Sequence, residues 1–207
     1  MLKVFGEIEQ GSEEWRKIRC GLPTASAFKC ILAKGEGKTR RAYLNRLAAE
    51  IVTGEPLESF SSPAMDRGRQ MEAQAREFYA FLSDADPEQV GFIRNGNKGA
   101  SPDSLIGSDG LLEIKTQRGD LLIETLLKDE LPHEHVAQIQ GQIWVSERSW
   151  CDLLVFWPGM PPFVRRAYRD EQYIRSLADA VDKFNEELIG VVEKIKRLGG
   201  GGLANAA

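Results

Sequence analysis

Cysteine is scarce in this chain. Three thiols, Cys20, Cys30 and Cys151, stand in 207 residues. They are too few and too scattered for a C-x-x-C zinc pattern, a disulfide framework or the four thiolates of an iron–sulfur cluster. Reduced, intracellular thiols are the expectation. Histidine is scarcer still: His133 and His135 sit on one expected helix at a spacing that does not match the i,i+4 of a shared metal, so they are read as structural or exposed. No apolar run is long enough to span a bilayer, and no charged, apolar, small-residue signal stands at the N-terminus; no membrane partner is expected. A surplus of positive charge is missing as well. Lys and Arg number 27 against 31 Asp and Glu, a net charge of −4. That does not suggest a nucleic-acid binder, although a basic groove on an acidic body still attracts phosphate. Internal repeats are absent.

What is present is an ordinary globular composition, 42% hydrophobic and 28% charged, long enough for one well-cored domain. Residues 1–198 are expected to form that domain. The glycine-rich 199–207 reads as a disordered tail.

One stretch organises the chain: S-P-D-S-L-I-G-S-D-G-L-L-E-I-K-T-Q, from Ser101 to Gln117. A carboxylate, Asp103, follows a proline. The turn-like Gly107–Gly110 then folds its strand back beside an apolar strand that carries Glu113 and Lys115. Side chains alternate across a strand, so Glu113 and Lys115 share a face while Ile114 points into a core. Two carboxylates and an ammonium in one cleft suit metal-assisted phosphodiester hydrolysis. Hard cations such as Mg²⁺ take oxygen ligands and keep waters, and two ions can hold the attacking and leaving oxygens. The lysine would orient or deprotonate water, or offset charge on phosphorus. The plain alternative is a hairpin with a solvated Glu/Lys face.

Around this stretch, residues 4–10 read as an edge strand or arm. Ser12 caps a short helix through Trp15 and Ile18. Thr24 caps a second helix, T-A-S-A-F-K-C-I-L-A-K, whose N-terminal amides, with Ser26 in the first turn and Arg19 just before it, form a potential phosphate site. The plain readings are a helix-start serine and a surface arginine. Gly35–Arg41 is a basic loop. Helices follow over 41–52 and 64–82, the second carrying G-R-Q-M-E. There Glu72 is either a surface partner of Arg76 or a third carboxylate for the metal site, with Gly68 leaving room for backbone or substrate. Gln89–Asn95 reads as a strand and Arg94–Lys98 as a hairpin turn. Asp120 caps a helix to Lys128, and Pro132–His133 open another. On that helix Gln138 and Gln142 share a face, with Gln140 roughly opposite; a buried glutamine needs partners, so at least one is expected at the cleft. Trp150–Trp157 is a central strand with Phe163–Tyr168 as its partner. Asp170 caps a long helix to about Leu198, its apolar stripe running from Ile174 through Val191 and Ile195. The sum is one α/β (α+β) domain with a mixed sheet of about five strands flanked by helices.

Four blocks now stand in order: E-Q-G-S-E-E-W-R-K-I-R-C-G-L-P-T-A-S, G-R-Q-M-E, S-P-D…E-I-K and A-Q-I-Q-G-Q-I-W-V. Together they resemble the phage lambda exonuclease / YqaJ-like viral recombinase family, within the PD-(D/E)xK restriction-endonuclease-like fold, over roughly residues 8–195. The resemblance implies a Mg²⁺-dependent, processive 5′-to-3′ exonuclease on double-stranded DNA that leaves 3′ overhangs for recombination. It implies a homotrimeric ring, a free 5′-phosphorylated DNA end as substrate, a phage single-strand annealing protein as partner, and a cytoplasmic, host- or prophage-encoded setting. By the same resemblance Asp103, Glu113 and the main-chain carbonyl of Ile114 bind two metal ions, Mg²⁺ or Mn²⁺. Lys115 acts on the nucleophilic water, and Glu72 lies near the second metal. Gln140 matches the family's active-site glutamine, with Gln138 as a further candidate. Arg19, Ser26 and Ser101 match its 5′-phosphate pocket, and Met65 is either a wedge into the terminal base pair or an ordinary buried methionine. A ring channel through an acidic chain must gather its basic residues; Arg40, Arg41, Arg67, Arg69 and Arg118 are candidates. Two other readings stay open: an endonuclease of restriction or repair type on the same core, and a non-catalytic DNA-binding module.

Overall fold

A computed structural model describes residues 1–33, 37–57 and 63–201, with the side chains of 63–66, 69, 200 and 201 excepted. Parts of the expected loops at 35–41 and 57–63 therefore lie outside the described residues, as do the Met65 and Arg69 side chains. The elements run β1 (Leu2–Phe5), α1 (Glu13–Arg19), a 3₁₀ turn (Ala25–Ala27), α2 (Phe28–Ile31), α3 (Lys38–Thr53), α4 (Pro63–Ser83), β2 (Pro87–Glu88), β3 (Phe92–Asn95), β4 (Lys98–Ala100), β5 (Ser104–Ile106), β6 (Gly110–Thr116), α5 (Gly119–Lys128), α6 (His133–Ser146), β7 (Trp150–Phe156), β8 (Phe163–Tyr168) and α7 (Glu171–Gly201).

The expected five-stranded mixed sheet is present, in the order β2-β5-β6-β7-β8. β5 and β6 are antiparallel, with Ser104 opposite Leu112 and Ile106 opposite Gly110. β6 and β7 are parallel from Gly110–Trp150 to Thr116–Phe156, joined through α5 and α6 as parallel neighbours require. β6 is the middle strand, and its first five residues are all buried, because helices cover both faces. On one face Leu111, Leu153 and Val155 pack with Ile139 and Ile143 of α6 and with α7. On the other Leu112, Ile114, Leu154 and Phe156 pack with Ala75 and Tyr79 of α4.

Two expectations are corrected. The strand and hairpin over 89–98 do not join the main sheet: β1, β3 and β4 form a separate three-stranded antiparallel sheet. The edge of the main sheet beside β5 is taken by β2, and Pro102, which has no N–H for a ladder, separates β4 from β5. The single helix expected from Thr24 is instead the 3₁₀ turn followed by the one-turn α2, and the Thr24 hydroxyl caps neither. Its neighbourhood claims it instead: Thr24 bridges to Gly99 and its N–H donates to the Tyr43 hydroxyl at 3.1 Å.

The ends of the longer helices follow local rules. Gly54, at φ +75°, closes α3 through its N–H to the Glu50 carbonyl, the left-handed stop glycine supplies. Asp170 Oδ1 accepts from the N–H groups of Gln172 and Tyr173, both at 2.9 Å, and starts α7 as an N-cap should. Ile174, Leu177, Val181, Phe184, Leu188 and Val192 then face the core, while Ile195 is exposed; the stripe leaves the core one turn before its expected end. α7 continues to Gly201, and 202–207 lie outside the described residues. α4 is pinned to the sheet by the Tyr79 hydroxyl, which donates to buried Asp152 at 2.7 Å. The cost of burying that carboxylate is offset by Arg166, which grips both its oxygens at 2.8 Å and lies 3.6 Å over the Trp150 ring. Among the described residues no helix is long and apolar enough to cross a membrane.

α6 reaches the 25–28 segment closely because residue 141 is glycine. A Cβ there would stand 2.5 Å from the Phe28 ring and 3.2 Å from Ala25 Cβ, and Phe28 is fully buried. Gly141→Ala is therefore expected to destabilise the fold by about 1–3 kcal/mol, the usual cost of overpacking, read as a lower urea midpoint at unchanged m-value.

Candidate active site

The turn at 107–110 sets the site's geometry. It returns β6 against β5, and the chain just before β5 stays in register through the Asp103 N–H donating to the Leu112 carbonyl at 3.0 Å. Arg148 ties the turn down, donating to the carbonyls of Gly107 at 2.8 Å and Gly110 at 2.7 Å. Asp103 thus lies against the middle of β6, where its Oδ2 accepts from the Ile114 N–H at 2.5 Å. Glu113 is 2% exposed. Its Oε1 accepts from Lys115 Nζ and from Gln138 Nε2, and its Oε2 from Gln142 Nε2, each at 2.5 Å.

Glu72 approaches from α4. Arg76, one turn on, donates to Glu72 Oε1, to Ser104 Oγ at 2.9 Å and to the Asp103 carbonyl at 3.4 Å. The i,i+4 pair read from the sequence is real, and it also fastens Glu72 to the strand that follows Asp103. Gly68 sits on the same helix with its Cα side toward Thr116: an added Cβ would lie 3.1 Å from Thr116 Oγ1, so the room it leaves is filled by β6.

These charges govern one another. Burial raises the Asp103 carboxyl well above its ordinary value, and the Glu113 and Glu72 carboxylates push it further. Burial pulls the Lys115 ammonium down, but Glu113 and Asp103 outweigh it and hold the group above its usual range, so it is charged at neutral pH. Burial, then Glu113, keep Cys151 a thiol. Among the described residues no three His, Cys, Asp or Glu side chains stand together as one metal cluster; Glu72 is held by Arg76 and acts on Asp103 through its charge. The donors that do converge are oxygens, and their crowded negative charge is what a hard divalent cation relieves. Mg²⁺ needs one or two carboxylates and keeps water in its remaining positions, so this donor set fits it.

The other expected cluster opens onto the same space. A cleft of about 820 Å³ is lined by Trp15, Arg19, Thr24, Ser26, Glu72 and Asp103 among others. Burial lowers the Arg19 guanidinium to about 10. It stacks 3.6 Å over the Trp15 ring, reaches Thr24 Oγ1 at 3.4 Å, and its Nε is buried without a hydrogen-bond partner. Ser26 is exposed beside Thr24, the two hydroxyls 3.4 Å apart. Ser101 accepts from Trp15 Nε1 at 3.0 Å.

Gln140 is corrected. It is 5% exposed but turned away from the carboxylates: its Nε2 donates to the Tyr168 carbonyl and its Oε1 accepts from the Asp170 N–H, fastening the corner between β8 and α7. Residues four apart on a helix are only about 40° apart around the axis, residues two apart about 160°, so one face of α6 offers Gln138 and Gln142 and the other Gln140. Arg118 is exposed and ion-paired with Asp120 at 2.5 Å, outside the cleft. Gln142, Trp15 and Arg76 are the site residues that sequence reasoning left without a site role. The shared face of Gln138 and Gln142 was the available signal for Gln142; Trp15 read as an ordinary apolar helix position.

Asp103 gives a stability test. Its folded-state pKa lies above its unfolded one, so the folded protein binds more protons in between, and stability falls as pH rises through that window. Without divalent ions, Asp103→Asn, which keeps an oxygen for the Ile114 N–H, is expected to raise the thermal midpoint at neutral pH and to flatten its dependence on pH. Thermal melts across pH in chelator measure both.

Comparison with known proteins agrees with this geometry. Residues 14–149 match the model of the YqaJ-like viral recombinase domain, which takes in the first sequence block from Glu14 onward and the other three whole. A crystal structure of LHK-Exo in complex with dAMP superposes with a TM-score of 0.85 at 32% identity, over 91% of this chain and 98% of that one. That of the same alkaline exonuclease from Laribacter hongkongensis gives 0.83 at 30% identity over the same shares. A phage related exonuclease from Haemophilus somnus 129PT shares the fold at 13% identity, with a TM-score of 0.64 over 87% and 99% of the two chains. An uncharacterized protein of Acanthamoeba polyphaga mimivirus is 26% identical over 175 residues, 74% of this chain; the match spans 30% of that protein's length. The chain belongs to the YqaJ-like viral recombinase domain family.

Proposed function

We propose that this chain is a Mg²⁺-dependent nuclease that degrades double-stranded DNA from a free, 5′-phosphorylated end, in the 5′-to-3′ direction, leaving a 3′ single strand for recombination. The observation that carries the reading is the single cleft that joins Arg19, Thr24 and Ser26 to Glu72 and Asp103. One end presents a cation and hydroxyls suited to a terminal phosphate; the other presents carboxylates suited to divalent cations. A 5′-terminal phosphate held at the first would set the scissile bond toward the second. The named relatives, an alkaline exonuclease and a phage related exonuclease, point the same way.

Asp103 and Glu113, with the Ile114 carbonyl, would hold the ion nearest the strand pair, and Glu72 a second. Mg²⁺, or Mn²⁺ in its place, supplies Lewis-acid polarisation of the phosphate and a more acidic bound water. Lys115, kept charged by the two carboxylates, serves as a donor that orients water and offsets charge on phosphorus; as an ammonium it is no base. Gln138 holds Glu113 in place. Arg19 is suited to phosphate because its guanidinium is already stacked on Trp15 and carries an unpartnered buried N–H. Little reorganisation is then needed on binding. Arrangement as a trimeric ring, with the DNA threaded through it, would give processivity even with individually weak, salt-sensitive phosphate contacts. A single-strand annealing protein would take up the product strand.

Digestion of linear duplexes labelled at either end, with and without 5′-phosphate, beside a closed circle, tests the reading. Loss of the 5′-labelled strand from its 5′ end with an intact circle is expected; shortening from the 3′ end overturns the polarity, and cutting of the circle favours an endonuclease. Asp103→Ala is expected to abolish cleavage and spare DNA binding. Arg19→Ala is expected to reduce the preference for a phosphorylated end about 10- to 100-fold, the worth of a hydrogen bond to a charged group.

A further inference from the structure

Gln142 carries the family's chemistry one step outward. It is fully buried, on the face of α6 turned to β6, and both ends of its amide are engaged. Nε2 donates to Glu113 Oε2 at 2.5 Å, and Oε1 is one of two acceptors within reach of the Cys151 thiol, at 3.8 Å, beside the Asp152 carbonyl at 3.7 Å, weak bonds of the length sulfur allows. Ser146, one turn on, donates to the Gln142 carbonyl at 2.7 Å. An amide has one end that donates and one that accepts. A carboxylate on one side and a thiol hydrogen on the other therefore permit one orientation only.

The acceptor capacity of Glu113 gives this contact its consequence. A carboxylate offers about four lone-pair positions. Oε1 already receives Lys115 and Gln138, while Oε2 receives Gln142 alone. The open capacity of Glu113 therefore lies on Oε2, the oxygen Gln142 holds. We propose that Gln142, locked by Cys151, is a positioning residue that aims Glu113 Oε2 at the divalent ion. Lys115 and Gln138 fix the other oxygen, so the carboxylate is held at three points and cannot rotate both oxygens toward a cation. Cys151 lies on β7, opposite Leu111 of β6, and thereby couples the neighbouring strand to the aim of the Glu113 side chain. Outer groups of this kind commonly change metal affinity by about 10- to 100-fold when removed.

This inference rests on the metal reading of the site. Its test is the affinity of the full-length chain for Mn²⁺ without DNA, followed by electron paramagnetic resonance of the free ion, with kcat and KM on linear duplex as the second readout. Gln142→Met keeps the volume and removes the donor. It is expected to bind Mn²⁺ about 10- to 100-fold more weakly and to lose kcat at saturating DNA, with KM for DNA near the wild-type value, since DNA contacts are untouched. Mn²⁺ affinity equal to wild type overturns the proposal. Should Gln142→Met fail to fold, Cys151→Ala decides: it keeps the donor but frees the amide to turn. Weaker Mn²⁺ binding then supports the aiming role, and unchanged binding overturns it. Absence of Mn²⁺ binding by the wild type overturns the metal reading itself, and this inference with it.

Discussion

Carboxylates crowded beside the middle strand of a sheet repel one another, and the rest of this structure answers that repulsion. The Glu113 and Glu72 carboxylates raise the energy of Asp103's charged form, in a place where burial alone already opposes charge. The fold meets this with a fixed set of donors: the Ile114 N–H on Asp103, Lys115 with two glutamine amides on Glu113, and Arg76 on Glu72. The donors come from three elements, so β6, α6 and α4 are held in mutual position by the charges they surround. The two hydrophobic layers on either side of β6 keep the assembly rigid. The remaining negative charge is left for divalent cations to balance, which is the proposed function's physical basis.

A similar logic appears at the far end of the cleft with the sign reversed. Arg19 is a half-buried cation that, among the described residues, has no carboxylate hydrogen-bond partner; it is supported by the Trp15 ring and the Thr24 hydroxyl, with nothing on its buried Nε. Elsewhere the fold neutralises its buried charges internally, as with Asp152 and Arg166. An incompletely satisfied guanidinium and a cluster of carboxylates both line one cleft, and the proposed function would set a strand's terminal phosphate at the first and its scissile phosphate at the second. On the proposed function an acidic protein would hold DNA here without a basic surface overall, because local field rather than net charge would meet the ligand.

Much of the site was legible in the linear chain because its parts lie close together in it. Asp103, the turn and the E-I-K strand lie within one hairpin, Asp103–Lys115, and alternation along a strand decides which side chains share a face. Helix caps at Ser12 and Asp170 and the stop at Gly54 are local in the same sense. The glutamines of α6 show where locality ends. Spacing alone said that Gln138 and Gln142 share a face opposite Gln140; which face meets β6 depends on how α6 is rotated against the sheet, and that rotation follows from Ile139 and Ile143 entering the core. Gln140 consequently fastens the β8–α7 corner. Trp15 read as an ordinary apolar helix position, yet its indole serves as a platform for Arg19 one turn on and as a donor to Ser101, the second role visible only once residues 86 positions apart are neighbours.

The sequence by itself determined the strand pair that carries Asp103, Glu113 and Lys115, the helix ends at Ser12, Gly54 and Asp170, the mixed α/β class and, through four ordered blocks, the family, since each rests on local geometry or on pattern along the chain. Tertiary structure decided the separate three-stranded sheet, the breaking of the expected Thr24 helix, the side of α6 that meets Glu113, and the joining of the Arg19 and Asp103 groups in one cleft. Those depend on which surfaces bury one another and which strand takes a sheet's free edge, a competition among distant segments that no local spacing encodes.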